Sequence, residues 1–170
     1  GSVAEAMPTR NVIYVAFNRA IVDEAKAKMP GNVTCVTAHG LAFRTKGKLY
    51  KDRLNGTRMR SDEISRILGC QPFEIKMLGT SKRMAHGWIA GQVRKTIDRF
   101  CQTGDAEPKA SLHMPTVPGI DEPRTMPDGL VRNVRGPNHR ALEAVIDAYL
   151  PRAWADIANV NGRLPFTHNH

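Results

Sequence analysis

Cysteine is scarce in this sequence: Cys35, Cys70 and Cys101 are the three in 170 residues, and none forms a C-x-x-C pair. Such spacing is poor material for a disulfide framework or a zinc knuckle and suits a reducing cytosol, so each reads as a small core hydrophobe. No window approaches the roughly 18 consecutive apolar residues of a membrane span, and no basic-apolar-small signal opens the chain. The expectation is a soluble, cytoplasmic protein with no membrane partner. Gly1-Ser2 reads as a tag-cleavage scar. A glycine-rich phosphate loop ending in Gly-Lys-Ser/Thr is also missing, since Gly47-Lys48 runs into Leu49 and follows no predicted strand. Holding magnesium for phosphoryl transfer takes an acidic pair at a strand end. Asp23-Glu24 instead falls inside a predicted helix, and Asp121-Glu122 in a proline-rich stretch. This chain is therefore expected to hold no cofactor and to hydrolyse no ATP by itself. No Ser-His-Asp or Cys-His arrangement can be argued from spacing, and His168-Asn169-His170 lacks the further ligands of a metal site.

Acidic residues are few beside basic ones, 16 against 25, leaving a net charge of +9. Such an excess favours a polyanionic partner, because Lys and Arg that neutralise phosphates release condensed counterions. Distribution sharpens the point. Arg44, Lys46, Lys48, Lys51, Arg53, Arg58 and Arg60 follow one another with Asp52 as the sole acid among them. A solvated charged face would mix signs more evenly.

What is present opens as α/β. Residues 11–17 (NVIYVAF) form a short apolar, β-branched run that predicts a buried strand. Asn18 stands where an N-cap belongs, Ile21, Ala25 and Met29 share a helical face, and Pro30-Gly31 stops the helix. A second strand follows at 32–36, then Thr37 as N-cap of a helix through Ala42 and Phe43. Strand, helix and strand joined by short loops are the grammar of a parallel β-α-β unit. Two such strands cannot hide both faces of a parallel sheet, so the unit reads as a slice of a larger one. Helical patterning dominates afterwards: from Ser61 to Gly69, from about Lys82 to Cys101, and from Pro137 onward, with Pro151 kinking or restarting the last helix. Between 103 and 137, Pro, Gly and Asp are dense, and a long loop with little regular structure is expected. The expected class is α/β: a β-α-β unit over 3–45, then a mainly α-helical subdomain over 46–170.

The segment Tyr14-Val15-Ala16-Phe17-Asn18-Arg19-Ala20-Ile21 with Glu24-Ala25 resembles motif Ia of UvrD/Rep-like superfamily-one DNA helicases, and Thr37-Ala38-His39-Gly40-Leu41-Ala42 resembles their following T-F-H-S-L-A motif. Ala38 and Gly40 replace the commoner Phe and Ser, which leaves Thr37 and His39 as the transferable positions. Residues 93–100 (VRKTIDRF) and 164–168 (LPFTH) add a likeness to the F-box DNA helicase branch. The resemblance implies a partial RecA-like unit followed by an inserted helical subdomain, cut from between the phosphate loop and the acidic motif of a parent that uses ATP and magnesium. It implies single-stranded DNA at Phe17, Asn18, Arg19, Thr37 and His39. It also implies duplex ahead of the fork for the basic residues from Arg44 to Arg60, with the rest of the helicase chain as a partner.

The residues allow plainer readings: Phe17 as a core aromatic, Thr37 as a cap and His39 as structural, the basic run as a solvated loop. A self-standing nucleic-acid-binding or regulatory module that borrowed a β-α-β unit is the competing account of the whole chain. Nothing in the sequence supports a small enzyme with its own site.

Overall fold

Residues 6, 8–54, 56, 58–77, 80–120 and 122–167 are described by a computed structural model, and the chain divides at Lys51/Asp52 into two compact units. In the first, the β-branched run becomes β1 (Val12–Ala16), α1 (Arg19–Lys28) crosses over, and β2 (Val33–Thr37) returns parallel to β1. The register runs from Val12 opposite Val33 to Ala16 opposite Thr37. The predicted parallel β-α-β unit is thus present. Asn18 caps α1, its Oδ1 accepting the Ile21 N–H at 3.0 Å, and Thr37 caps α2 (Ala38–Thr45), its Oγ1 accepting the Gly40 N–H at 3.0 Å. Val22 and Ala25 of α1 close over Ala16 and Cys35, with Tyr14, Met29 and Val33 at the margin. The two-residue strand period turns Ile13 and Val15 to the opposite face, where they are 57% and 47% exposed. A parallel sheet is ordinarily covered on both faces; this one is covered on one. A 3₁₀ turn (Gly47–Tyr50) and the short α3 (Lys51–Leu54) lead out of the unit.

The second unit is mainly helical, with α4 (Ser61–Leu68), α5 (His86–Phe100), α6 (Ala110–His113), α7 (Pro137–Asp147) and α8 (Leu150–Ala158). Glu63 reaches back to accept the Arg60 N–H at 2.7 Å, which starts α4, and Gly69 at φ 60° ends it in the left-handed region that glycine tolerates best. Helix α5 meets α4 through Gly87 and Gly91. A β-carbon at Gly87 would overlap the Asp62 carboxylate, and one at Gly91 would come within 3.8 Å of the Ser61 hydroxyl. Ile64, Leu68, Ile89, Val93, Ile97, Leu142, Ile146, Leu150 and Ile157 form the core between the helices. Pro151 restarts the chain as α8, as expected of a residue that suits a first turn but not an interior.

Two sequence expectations are corrected in this unit. The helix predicted from Lys82 begins at His86, because β4 (Thr80–Met84) pairs antiparallel with β3 (Phe73–Met77). Over five residues, Met84 and Trp88 fit a helical face as well as Met84 fits a strand, so the spacing did not separate the two. The stretch 103–137, expected as a long loop with little regular structure, holds α6 and a hairpin of β5 (Glu122–Thr125) and β6 (Val131–Val134). Gly129 turns that hairpin at φ 77°, and Asp128 Oδ1 accepts the Leu130 N–H at 3.0 Å. Met114, Val117 and Ile120 from the same stretch are buried in the core. His113 anchors it. Nδ1 lies 3.0 Å from both the backbone nitrogen and the carbonyl oxygen of Lys109, and Nε2 donates to Asp105 Oδ2 at 2.8 Å. That hydrogen bond holds the Asp105 carboxyl below its ordinary value.

Candidate nucleic-acid interface

Because Ala16 pairs with Thr37, the carboxyl ends of β1 and β2 lie side by side. The chain leaves β1 as Phe17-Asn18 and β2 as Thr37-Ala38-His39, so five residues singled out in the sequence (Phe17, Asn18, Arg19, Thr37 and His39) gather on one sheet edge, where open α/β sheets place their ligands. Phe17 is 88% exposed, which removes the core-aromatic reading. Its ring forgoes the roughly 1.5–3 kcal/mol that burial of such a side chain brings.

Two helices start at this edge, and neither carries an acidic residue in its first turn. Their leading N–H groups have no intrahelical acceptor, and the positive ends of two macrodipoles meet solvent without a competing carboxylate. The caps leave donors to spare. Asn18 spends Oδ1 on Ile21 and keeps its Nδ2 hydrogens, while Thr37 accepts from Gly40 and keeps its hydroxyl proton. Arg19 pairs with Asp23 at 3.0 Å, both exposed, an interaction worth about 0.3–0.5 kcal/mol that a phosphate could displace. His39 is exposed and bonded to no group among the described residues. The edge therefore offers a flat apolar ring beside several anion-directed donors.

The basic run falls on both sides of the division between units. Arg44, Lys46, Lys48 and Lys51 belong to the first and are exposed; Arg58 and Arg60 belong to the second and are exposed as well. Arg53 is different. Its guanidinium donates to the backbone carbonyls of Ile157 at 2.9 Å, Leu164 at 2.7 Å and Asn159, and lies 5.4 Å from the Phe166 ring centroid. The structure gives it a tethering task that charge counting could not reveal. Sequence reasoning also passed over Arg94 and Arg163. With Arg53 and Arg58 they line an open cleft of about 660 Å³ in the second unit. Arg94 sits 36 positions after Arg58 and Arg163 far beyond both, so no local pattern signalled the cluster.

Other constellations do not assemble chemistry. Ser65 Oγ lies 2.9 Å from His86 Nδ1, and Asp62 Oδ1 lies 4.0 Å from the same nitrogen. A nucleophile and an orienting carboxylate need opposite ring nitrogens, and Ser65 is buried, so these groups hold α4 to α5. Gly47-Lys48 lies in a 3₁₀ turn, and Asp23 and Glu24 are engaged along α1 with Arg19 and Lys28. Among the described residues no group of His, Cys, Asp or Glu is placed to hold a metal ion, and no helix is long and apolar enough to cross a membrane. Cys35 and Cys70 are buried and Cys101 half-buried; His168 and His170 lie outside the described residues.

The chain is 37% identical over 67 residues to F-box DNA helicase 1 of Gallus gallus, a match covering 38% of this chain and 7% of that protein. It is 45% identical over 40 residues to F-box DNA helicase protein 1 of Schizosaccharomyces pombe, covering 24% of this chain and 5% of that one. The chain carries a helicase-related region. It spans less than a tenth of the length of either relative. No family model and no solved structure matches it.

Proposed function

We propose that this chain is a DNA-contacting part of a UvrD/Rep-like superfamily-one helicase of the F-box branch, and that it is inactive as an ATPase alone. The observation that carries the reading is the shared edge of β1 and β2. There an exposed aromatic and the open N-termini of two helices stand together in a chain whose helicase-related stretches match two F-box DNA helicases. Phe17 is the stacking platform for a base of single-stranded DNA. Asn18, Arg19, Thr37 and His39 with the helix N-termini receive phosphate oxygens. The exposed Arg44, Lys46, Lys48, Lys51, Arg58 and Arg60 supply the sequence-blind attraction, toward the single strand and toward duplex near the fork. ATP and magnesium belong to the parent protein, whose remaining chain supplies their site and covers the bare face of β1. That bare face, with Ile13 and Val15 in solvent, favours this account over a self-standing module.

The test is titration of a labelled oligothymidine strand against the purified chain and its Phe17→Ala variant. Binding by the parent is weak, indifferent to sequence and steeply salt-dependent. The variant stays folded, since the ring packs against little, and loses about 1–3 kcal/mol per stacked base with the salt slope nearly unchanged. Equal binding by the folded variant removes Phe17 from the interface and with it the assignment of this edge. DNA-stimulated ATP turnover that survives repurification contradicts the second half of the proposal.

A further inference from the structure

The cleft of the second unit is built from three sequence-distant segments: residues around Arg53 and Arg58, Arg94 of α5, and the closing stretch Arg163 to Phe166. Four arginines line it against one carboxylate, Asp52, and Asp52 forms no ion pair with Arg58, Arg94 or Arg163. Arg53 is held by backbone carbonyls and the Phe166 ring, so it stiffens one wall. The other three have no acidic partner among the described residues. Like charges gathered along one concavity raise the local concentration of anions, and an anion that enters relieves their mutual repulsion. Guanidinium forks match phosphate oxygens in pairs and do not lose their charge at any ordinary pH. Apolar walls from Met59, Pro165 and Phe166 suit a sugar or base edge, and the cleft lies open to solvent as passage of a strand requires.

We propose that this cleft is a second backbone-binding site, in which Arg58, Arg94 and Arg163 receive consecutive phosphodiester groups of a DNA strand. The site is contained within the second unit and is distinct from the edge of β1 and β2, although the identity of its ligand rests on the DNA reading above. The experiment uses the full chain and an Arg58→Ala/Arg163→Ala double variant. Both side chains are exposed and bonded to nothing among the described residues, so folding is retained. Oligothymidine affinity is measured from 50 to 200 mM salt. Loss of two phosphate contacts flattens the slope of log affinity against log salt by about 1.4, so the defect at 50 mM exceeds that at 200 mM about sevenfold. Unchanged affinity and slope overturn the proposal. Pyrophosphate is titrated in parallel: if the parent binds it, the double variant does not, and strand affinity is the same for both, the cleft is a small-anion site and the proposal falls. A weakened Phe17→Ala protein beside an unaffected double variant removes the cleft alone. Strand binding indifferent to both sets of changes removes the DNA reading itself.

Discussion

Arg53 is where charge and geometry give opposite expectations, so its replacement is the most informative perturbation. The sequence places it in a basic run as a phosphate contact. In the fold its guanidinium donates to the carbonyls of Ile157, Leu164 and Asn159 and covers Phe166, holding the end of α8 and the closing segment to residue 53. Hydrogen bonds from a charged donor are worth about 1.5–3 kcal/mol each. The Asn159 carbonyl is exposed and regains water after truncation, so two bonds count fully, giving about 3–6 kcal/mol. Freeing the long side chain returns about 1.5–2 kcal/mol in entropy. The net loss for Arg53→Ala is about 1–4.5 kcal/mol, or roughly 4 to 18 °C in the melting temperature of a unit this size. Arg53→Lys keeps the charge but cannot satisfy three carbonyls from one planar fork, so it recovers less than half of the loss. Thermal unfolding followed by circular dichroism reads both variants. An Arg53→Ala protein that melts within 1–2 °C of the parent while losing DNA affinity would refute the tethering role and restore the charge-only reading.

Further outcomes follow from the same geometry. Replacing Lys46, Lys48 and Lys51 by Ala flattens the salt slope of strand binding by up to about 0.7 per lost contact; an unaltered slope would take the run out of the interface. A β-carbon at Gly162 would overlap the Asp156 carbonyl oxygen, so Gly162→Ala displaces the turn that seats Leu164 and lowers stability by about 1–3 kcal/mol, readable as a shifted urea midpoint. Asp105, held low chiefly by the His113 hydrogen bond, contributes stability that is present above the ordinary carboxylate range and lost as pH falls through its lowered value. The stability gap between parent and Asp105→Asn is therefore constant above about pH 5 and narrows on acidification. A gap that ignores pH counts against the pairing.

The parallel β-α-β unit was legible because each level of its sequence agrees. The β-branched runs at 12–16 and 33–37 are strand-formers, Asn18 and Thr37 are cap residues at the right places, and Pro30-Gly31 stops the helix between them. The helices at 61–68, 137–147 and 150–158 were equally readable from apolar spacing and their stop signals. The hairpin of β3 and β4 was less so, although Phe73, Ile75 and Met77 alternate with Glu74 and Lys76. A single hairpin is stabilised by what packs on it, here the core through Ile75 and Met84. In the proline-rich stretch, Met114, Val117 and Ile120 are too sparse to show a period and are buried only because α5 and α7 offer a surface to cover.

Local sequence determined where the elements of the β-α-β unit begin and end, and with them the exposed edge formed by Phe17 and Thr37, because strand period, capping and chain reversal depend on neighbours a few positions apart. It also determined the net charge. Only the tertiary structure decided what each positive charge does. Arg53 and Arg135 are turned to backbone carbonyls from segments 20 to more than 100 residues away, whereas Arg58, Arg94 and Arg163 are left facing a shared cleft. A guanidinium has no local preference between a carbonyl and a phosphate; the choice depends on which acceptors the folded chain brings within about 3 Å of it.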